Sequence, residues 1–228
     1  MTVNYDAIGG NSTANSLAER TATLNITNAV DRIAFLTLLT RPASGTTSSV
    51  TLGANSFSLV STLAWSTSLQ CALYVLYASD VGTQTARVAT VHSTSFGFLV
   101  ATFYGVQQTD GYSLQFTGTG SAAATTTVLS TSTTDLVYAA FASGGGNGDM
   151  SVTCTGSDVQ LNTMVTGNAG RMEHHAWVPP TANSQTVSYA LVGGNFQFKF
   201  ALNIRATTTT PAGSPAIQYL LPLMGVGS

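Results

Sequence analysis

Charged residues are scarce in this sequence. Seven lysines and arginines and nine aspartates and glutamates make up 7% of its 228 residues, against roughly 25% in an ordinary soluble domain. Recognition of nucleic acid through its phosphates requires several basic side chains on one face. The basic residues here are scattered along the chain: Arg20, Arg32, Arg41, Arg87, Arg171, Lys199 and Arg205. The sequence therefore predicts no nucleic-acid partner.

The shortage of charge also bears on solubility. Interspersed charged groups keep protein molecules apart in solution, whereas obligate interfaces are poor in charge and resemble a protein core. Composition therefore favours a chain that assembles with other subunits, including copies of itself. The alternative is a β-protein kept soluble by its hydroxyl groups, since serine and threonine form roughly a quarter of the chain, above their usual share.

Long apolar runs are absent, although the mean hydropathy is +0.24. Stretches such as Ile33 to Leu36 and Cys71 to Ala78 are far shorter than the ~18 apolar residues that a membrane helix needs. The N-terminal sequence MTVNYDAIGG has neither the basic start nor the apolar core of a signal peptide. We therefore expect no membrane insertion and no secretion signal.

Cysteine is nearly absent as well, with Cys71 and Cys154 in separate strand-like segments. Neither lies in a CxxC motif or beside a histidine, so a zinc site of the Cys/His type is not indicated. Without a secretion signal we expect two buried thiols. A disulfide would require the two strands to be adjacent.

What the chain has in abundance is strand pattern. Thr21 to Thr27 alternates at period two, and Ile33 to Leu39 is mostly apolar, as in a buried strand. Turn signals rich in glycine, proline and asparagine separate the segments, and the best helix candidate, Asn15 to Arg20, is very short. Further strands are predicted at Phe57–Trp65, Ala72–Tyr77, Ala86–Val91, Phe96–Tyr104, Ser113–Phe116, Leu136–Phe141, Met150–Cys154, Met172–Val178, Thr186–Val192 and Phe196–Ile204.

Strands at this short spacing predict an all-β fold, an antiparallel β-sandwich of the jelly-roll or Ig-like type. We expect an irregular N-terminal segment over residues 1–20, one sandwich domain over 21–205 and a C-terminal arm over 206–228. The arm is expected because a polar stretch from Thr207 precedes the apolar Ile217 to Met224; a last edge strand on its own domain is the alternative. No linker and no internal repeat is visible.

The stretch RMEHHAW, Arg171 to Trp177, holds two of the three histidines. Neighbouring side chains of a strand point to opposite faces, so His174 and His175 are expected on different sides of a sheet. Glu173 and His175 then share a face and supply two ligands, whereas zinc takes three or four. His92 has no carboxylate beside it in sequence. A hydrogen-bonded pair within a strand is therefore the preferred interpretation, and Trp177 is expected to be a core anchor or a contact residue.

Signatures of catalysis are missing. There is no GxSxG, HExxH or Walker motif, and the acidic residues are dispersed, without the close carboxylate pair of a glycosidase. The run Gly144 to Asp149 resembles one calcium-binding nonapeptide, but that motif works only in stacked copies, so a hairpin loop is expected. The sequence thus predicts a protein that is not an enzyme, with no catalytic, cofactor-binding or metal-binding residue and no cofactor.

Aromatic residues allow two interpretations. Phe196 to Phe200 places three phenylalanines on one sheet face, which is typical of a core strand, whereas a stacking platform for bases or sugars would need that face to be exposed. Trp65, Tyr104 and Trp177 would be the platform of a carbohydrate-binding module if they were exposed.

The segment from Asp31 to Gly111 resembles a β-sandwich module of tailed-bacteriophage virion proteins and of some bacterial surface proteins. The second half of the chain matches only in general pattern, to about Arg205. The features that carry the resemblance are Asp31-Arg32 leading into Ile33–Leu39, Ser49–Ala54, Ser56–Val60, Ala72–Tyr77, the Gly82 turn before Thr85–Val91, and the aromatic-Gly-Val ending within Phe103–Asp110.

This resemblance implies a structural or adhesive role without catalysis. We expect a structural protein of a phage particle, most simply a minor tail or tail-tip component, located in the virion and assembled in the host cytoplasm. Its expected partners are other virion proteins and copies of itself. The alternatives are a capsid decoration protein and an adhesin module that binds a glycan of the host surface.

Overall fold

The computed structural model of the chain is built from β-strands, and every strand pair in the described residues is antiparallel. The predicted all-β antiparallel fold class is confirmed. Within the described residues, no helix is long and apolar enough to cross a membrane. The structure describes residues 2–12, 17–41, 47–65, 69–120, 124–130, 132–144, 150–154, 157–166, 170–191 and 196–208.

The strands in the described residues divide evenly between a first half (β1 to β8) and a second half (β9 to β16). In chain order they are β1 (Asn4–Ser12), β2 (Leu17–Ile26), β3 (Ile33–Arg41), β4 (Thr47–Leu52), β5 (Asn55–Ser56), β6 (Ser58–Trp65), β7 (Leu69–Tyr77), β8 (Gly82–Tyr104), β9 (Tyr112–Gly120), β10 (Ala124–Leu129), β11 (Leu136–Gly144), β12 (Met150–Cys154), β13 (Ser157–Thr166), β14 (Gly170–Val178), β15 (Ser184–Leu191) and β16 (Phe196–Ile204).

Each half contributes an inner and an outer sheet. The first inner sheet has the order β1-β8-β3-β7-β6 and the first outer sheet the order β2-β8-β4-β5, because β8 is long enough to belong to both. The second inner sheet has the order β9-β16-β11-β14-β13, and the second outer sheet the order β10-β15-β12.

Three apolar layers separate these four sheets. A central layer lies between the two inner sheets and contains Phe35 and Tyr138. A first outer layer packs the two sheets of the first half together, and a second outer layer does the same in the second half. Strand β3 has apolar residues on both faces because both faces are covered, with Ile33 facing the central layer and Ala34 the first outer layer.

The two halves repeat one topology. Reading β9, β11, β13, β14 and β16 for β1, β3, β6, β7 and β8 turns the strand order of one inner sheet into the other. The register agrees, since Phe35 lies opposite Val75 just as Tyr138 lies opposite Ala176. In the outer sheets, β10, β15 and β12 correspond to β2, the first part of β8, and β4.

The equivalent residues Phe35 and Tyr138 contact each other, with stacked rings 5.2 Å apart. A contact between a residue and its own counterpart is the mark of an interface with twofold symmetry. Val106 and Ala206, which follow the last inner strand of each half, also pair with each other in an antiparallel bridge. The chain is therefore arranged like a dimer of sandwiches joined into one polypeptide, a repeat that sequence inspection missed.

A local detail is repeated as well. The first strand of each half carries one extra residue, Asp6 in β1 and Gln115 in β9. Asp6 accepts a hydrogen bond from the backbone N–H of Thr27, just after β2, and Gln115 accepts one from that of Leu129, at the end of β10. In both halves the bulge therefore aims a polar side chain at the end of the next strand.

Several expectations about the elements were wrong. The N-terminal segment is not irregular, since β1 pairs with the end of β8 and the helix candidate overlaps β2. Gly9 lies where β1 and β2 pack closely: a Cβ on it would lie 3.1 Å from the Leu24 side chain, so glycine favours this packing. The two strands expected between Ala86 and Tyr104 are one. The predicted arm beyond Thr208, and the loop from Gly145 to Asp149, lie outside the described residues.

Candidate functional site

The RMEHHAW stretch forms most of β14, between β13 and β11 in the second inner sheet. As expected from strand alternation, its two histidines point to opposite faces. His174 enters the central layer, where it bonds to Tyr138, whereas His175 and Trp177 face the second outer layer.

Glu173 and His175 form the predicted pair. The His175 Nε2 atom lies 2.9 Å from Glu173 Oε2, and the imidazole N–H can donate to the carboxylate. The His175 ring also stacks on Trp177, with ring centroids 5.5 Å apart and planes within 10°. Both members of the pair are buried, so the arrangement places an acid–imidazole hydrogen bond inside a sandwich rather than on an open surface.

Trp177 is 1% exposed and belongs to the second outer layer. The prediction that Trp177 is a core anchor is confirmed. Because its side chain is buried, it cannot serve as a platform for a sugar. Phe198 and Phe200 are likewise buried in the central layer, as expected for a core strand. Trp65 is half-buried against that layer.

His174 forms a buried polar link between the two halves. Its Nδ1 atom lies 2.8 Å from the Tyr138 hydroxyl, in the same inner sheet, and its Nε2 atom lies 2.8 Å from the Thr37 hydroxyl, in β3 of the other half. All three residues are fully buried. A neutral imidazole has one donor and one acceptor, and hydroxyls can play either role, so the site suits an uncharged histidine.

The protonation of His174 follows from this burial. Removal from water, and secondarily the proximity of His175, lowers the pKa of His174 to about 3. Burial also raises the pKa of Tyr138 well above its ordinary value. Both partners are therefore neutral over the whole physiological range, and neither is poised to exchange a proton with a substrate.

Acid is expected to destabilise the protein through His174. The folded-state pKa lies below the ordinary value of about 6.5, so between these two values the unfolded chain binds a proton at His174 that the folded chain does not bind. The contribution of neutral His174 to the free energy of unfolding is therefore fully present above pH 6.5 and is lost as pH falls towards 3. The expected slope is ~1.4 kcal/mol per pH unit below that point. Urea unfolding between pH 7.5 and 5 measures it, in a window where most carboxylates stay ionised.

An NMR titration of the same imidazole assigns the effect to its source. We expect the His174 resonances to stay unchanged from pH 8 to pH 5. A titration with a midpoint near pH 6.5 would contradict the burial argument, even if the protein as a whole lost stability in acid.

The other residues that the sequence singled out are His92, Cys71 and Cys154, and within the described structure none of them joins Glu173, His174 and His175 in a metal-binding group. His92 lies in β8, and the prediction about it concerns a side chain outside those that the structure describes. Cys71 is buried in the central layer as expected, whereas Cys154 is only partly buried against the second outer layer, and no disulfide connects them. Among the side chains that the structure describes, no group of three or more His, Cys, Asp or Glu residues comes together to hold a metal ion.

A second site was not indicated by the sequence. A cleft of about 290 Å³ opens at the side of the first half, where β4 and β5 lie beside β6. Sequence inspection missed the cleft because the hydroxyl-rich sequences of β4 and β5 do not reveal that β6 lies next to them. We call it the edge cleft, and its lining residues are Thr47, Ser48, Ser49, Val50, Ser56, Phe57, Leu59 and Tyr74.

The edge cleft and the histidine stretch occupy related places in the two halves. Tyr74 in β7 precedes the residue opposite Phe35, and His175 in β14 precedes the residue opposite Tyr138. The position that holds a tyrosine at the cleft in the first half thus holds a buried imidazole in the second.

Comparison of the chain with protein-family models, with curated proteins and with solved structures found no match.

Proposed function

We propose that this chain is a non-enzymatic structural protein of a bacteriophage particle, a minor tail or tail-tip component, that acts in assembly with copies of itself and other virion proteins. The observation that carries the proposal is the charge-poor composition, 7% charged residues, in an all-β chain. The resemblance of Asp31 to Gly111 to virion β-sandwich modules gives the particular class of assembly.

The open edges of the sheets support a role in assembly. In the described residues β6 ends the first inner sheet and β13 ends the second, each with one strand partner. An edge strand presents unpaired backbone groups, and monomeric proteins commonly protect such edges with lysine or other charged side chains. Strand β6, SLVSTLAW, carries no charged residue, so its edge is suited to contact another subunit.

The polar groups of the interior support a structural rather than a catalytic role. Glu173 and His175 are bonded to each other beneath the second outer sheet, and His174 is held between two hydroxyls inside the central layer. A catalytic acid or base must reach a bound substrate. We therefore assign no reaction to the chain.

Location in the particle and self-association test the proposal directly. Mass spectrometry of purified particles of the encoding phage, with immunogold labelling, is expected to find the chain at the tail tip. Labelling spread over the capsid would instead support the decoration protein, which shares the same arguments. Analytical ultracentrifugation of the purified chain is expected to show an oligomer, weakened by Thr62→Lys on the exposed side of β6. A monomer that is also missing from particles would overturn both assignments.

A further inference from the structure

The described lining of the edge cleft is uncharged. Its walls contain hydroxyl and apolar side chains, and none of the lining residues that the structure describes is charged. A charged ligand entering it would lose hydration without gaining an ionic partner. The ligand that fits is therefore uncharged.

The lining also has two kinds of surface. Four residues with aliphatic hydroxyl groups, Thr47, Ser48, Ser49 and Ser56, provide hydrogen-bond donors and acceptors. Phe57, Tyr74, Leu59 and Val50 provide apolar contact, and Leu59 leaves 58% of its surface exposed. A wholly apolar ligand would cover the hydroxyls without satisfying them, which is costly.

We propose that the edge cleft binds a neutral saccharide of one or two rings. A sugar presents hydroxyls around its rim and C–H groups on its faces, matching the two kinds of surface in the cleft. The volume of about 290 Å³ lies just below the roughly 300–1,000 Å³ typical of small-molecule pockets, which limits the ligand to one or two sugar rings.

An added protein strand is the competing occupant, and the backbone of the cleft argues against it. The Val50 carbonyl already accepts a hydrogen bond of 2.9 Å from the Phe57 N–H, and Thr51 pairs with Ser56. The edge of β4 is thus occupied by the chain itself at this point. Strand addition needs a row of free backbone groups, whereas a saccharide uses the side chains.

The cleft is formed before any ligand arrives. Its walls belong to β4 and β6, which are fixed by pairing with β8 and β7. Tyr74 is partly buried in the cleft and hydrogen-bonds to the Thr47 side chain. Burial is the largest influence on the pKa of Tyr74 and raises it. A preformed site spends little binding free energy on ordering its side chains.

NMR saturation-transfer and calorimetric titrations with defined probes test this inference. The neutral probes are glucose, N-acetylglucosamine, maltose and lactose, and the charged probe is sialyllactose. We expect at least one neutral probe to bind with a Kd of about 1 mM, near −4 kcal/mol, and more tightly than the charged one. Ser56→Trp, which fills the cleft from an exposed position, is expected to weaken binding at least tenfold.

A matched control separates blocking from general damage. Thr23→Trp places the same side chain on an exposed position of β2 that does not line the cleft, and it should leave saccharide binding unchanged. Ser49→Trp is a second blocking variant if Ser56→Trp fails to fold. The inference is overturned if no neutral probe binds, if sialyllactose binds more tightly, or if both blocking variants bind like the wild type. It is also overturned if the blocking variants lose binding only because they dissociate an oligomer of the chain. The mass spectrometry and labelling of phage particles test the proposed function separately in each case.

Discussion

Replacing His174 with alanine is expected to lower the free energy of unfolding by about 3–5 kcal/mol. The substitution opens a cavity in the central layer and leaves the hydroxyls of Tyr138 and Thr37 buried without their shared partner. Each unsatisfied buried group costs about 1–3 kcal/mol, and the cavity adds to that. Urea unfolding followed by circular dichroism at pH 7.5 measures the loss, which is a large share of the usual 5–15 kcal/mol.

Variants that change one partner at a time serve as controls. Thr37→Val and Tyr138→Phe preserve volume and are each expected to cost about 1–3 kcal/mol, because each leaves one imidazole nitrogen unsatisfied. The triple variant with His174→Leu removes every polar group of the link and should recover much of the loss. A loss below about 1 kcal/mol for His174→Ala, or a triple variant less stable than the single one, would show that the link is not needed.

The sequence was sufficient to place the two histidines on opposite faces, because alternation in a strand depends only on local geometry. It could not reveal what covers each face. Thr37, the partner of His174, is 137 positions away in the chain, and no local pattern encodes that contact. For the same reason, the pairing of Glu173 with His175 was predictable and the link between the halves was not.

The repeat was invisible for a different reason. Equivalent positions keep their burial and not their chemistry: Thr37 corresponds to Ala140 and Leu73 to His174. Packing constrains the apolar volume that a layer must fill, and many combinations of residues satisfy it. Topology is therefore retained where sequence identity is not.

The long strand β8 shows how tertiary structure overrides a local break. The sequence predicted two separate strands, Ala86–Val91 and Phe96–Tyr104, yet a single strand continues from the first outer sheet into the first inner sheet. Val88 and Phe98 both face the first outer layer, whereas on the opposite face exposed Arg87 gives way to buried Leu99. One face of β8 thus stays on the same layer while the other passes from solvent to the central layer.

The central layer is expected to make the two halves unfold together, and Phe35→Ala tests this. The Phe35 ring contacts those of Phe103, Tyr112 and Tyr138 at centroid distances of 6.4, 5.4 and 5.2 Å. Truncation of a buried phenylalanine costs about 3–5 kcal/mol, and each lost aromatic pair adds about 0.5–1.5 kcal/mol to simple burial. Because Tyr112 and Tyr138 belong to the second half, the loss should fall on both halves.

The two tryptophans permit a separate measurement of each half, since Trp65 lies in β6 and Trp177 in β14. Single-tryptophan proteins, made with Trp65→Phe or Trp177→Phe, each report on one half. In each protein the fluorescence midpoint in urea should coincide with the circular-dichroism midpoint, and Phe35→Ala should lower the fluorescence midpoint of both proteins. Leu36→Ala, on the opposite face of β3 within the first outer layer, is the matched control, since it removes apolar volume without touching the central layer. If Phe35→Ala lowered only the Trp65 midpoint, the halves would be independent sandwiches, and the stacking of Phe35 on Tyr138 would contribute little to their association.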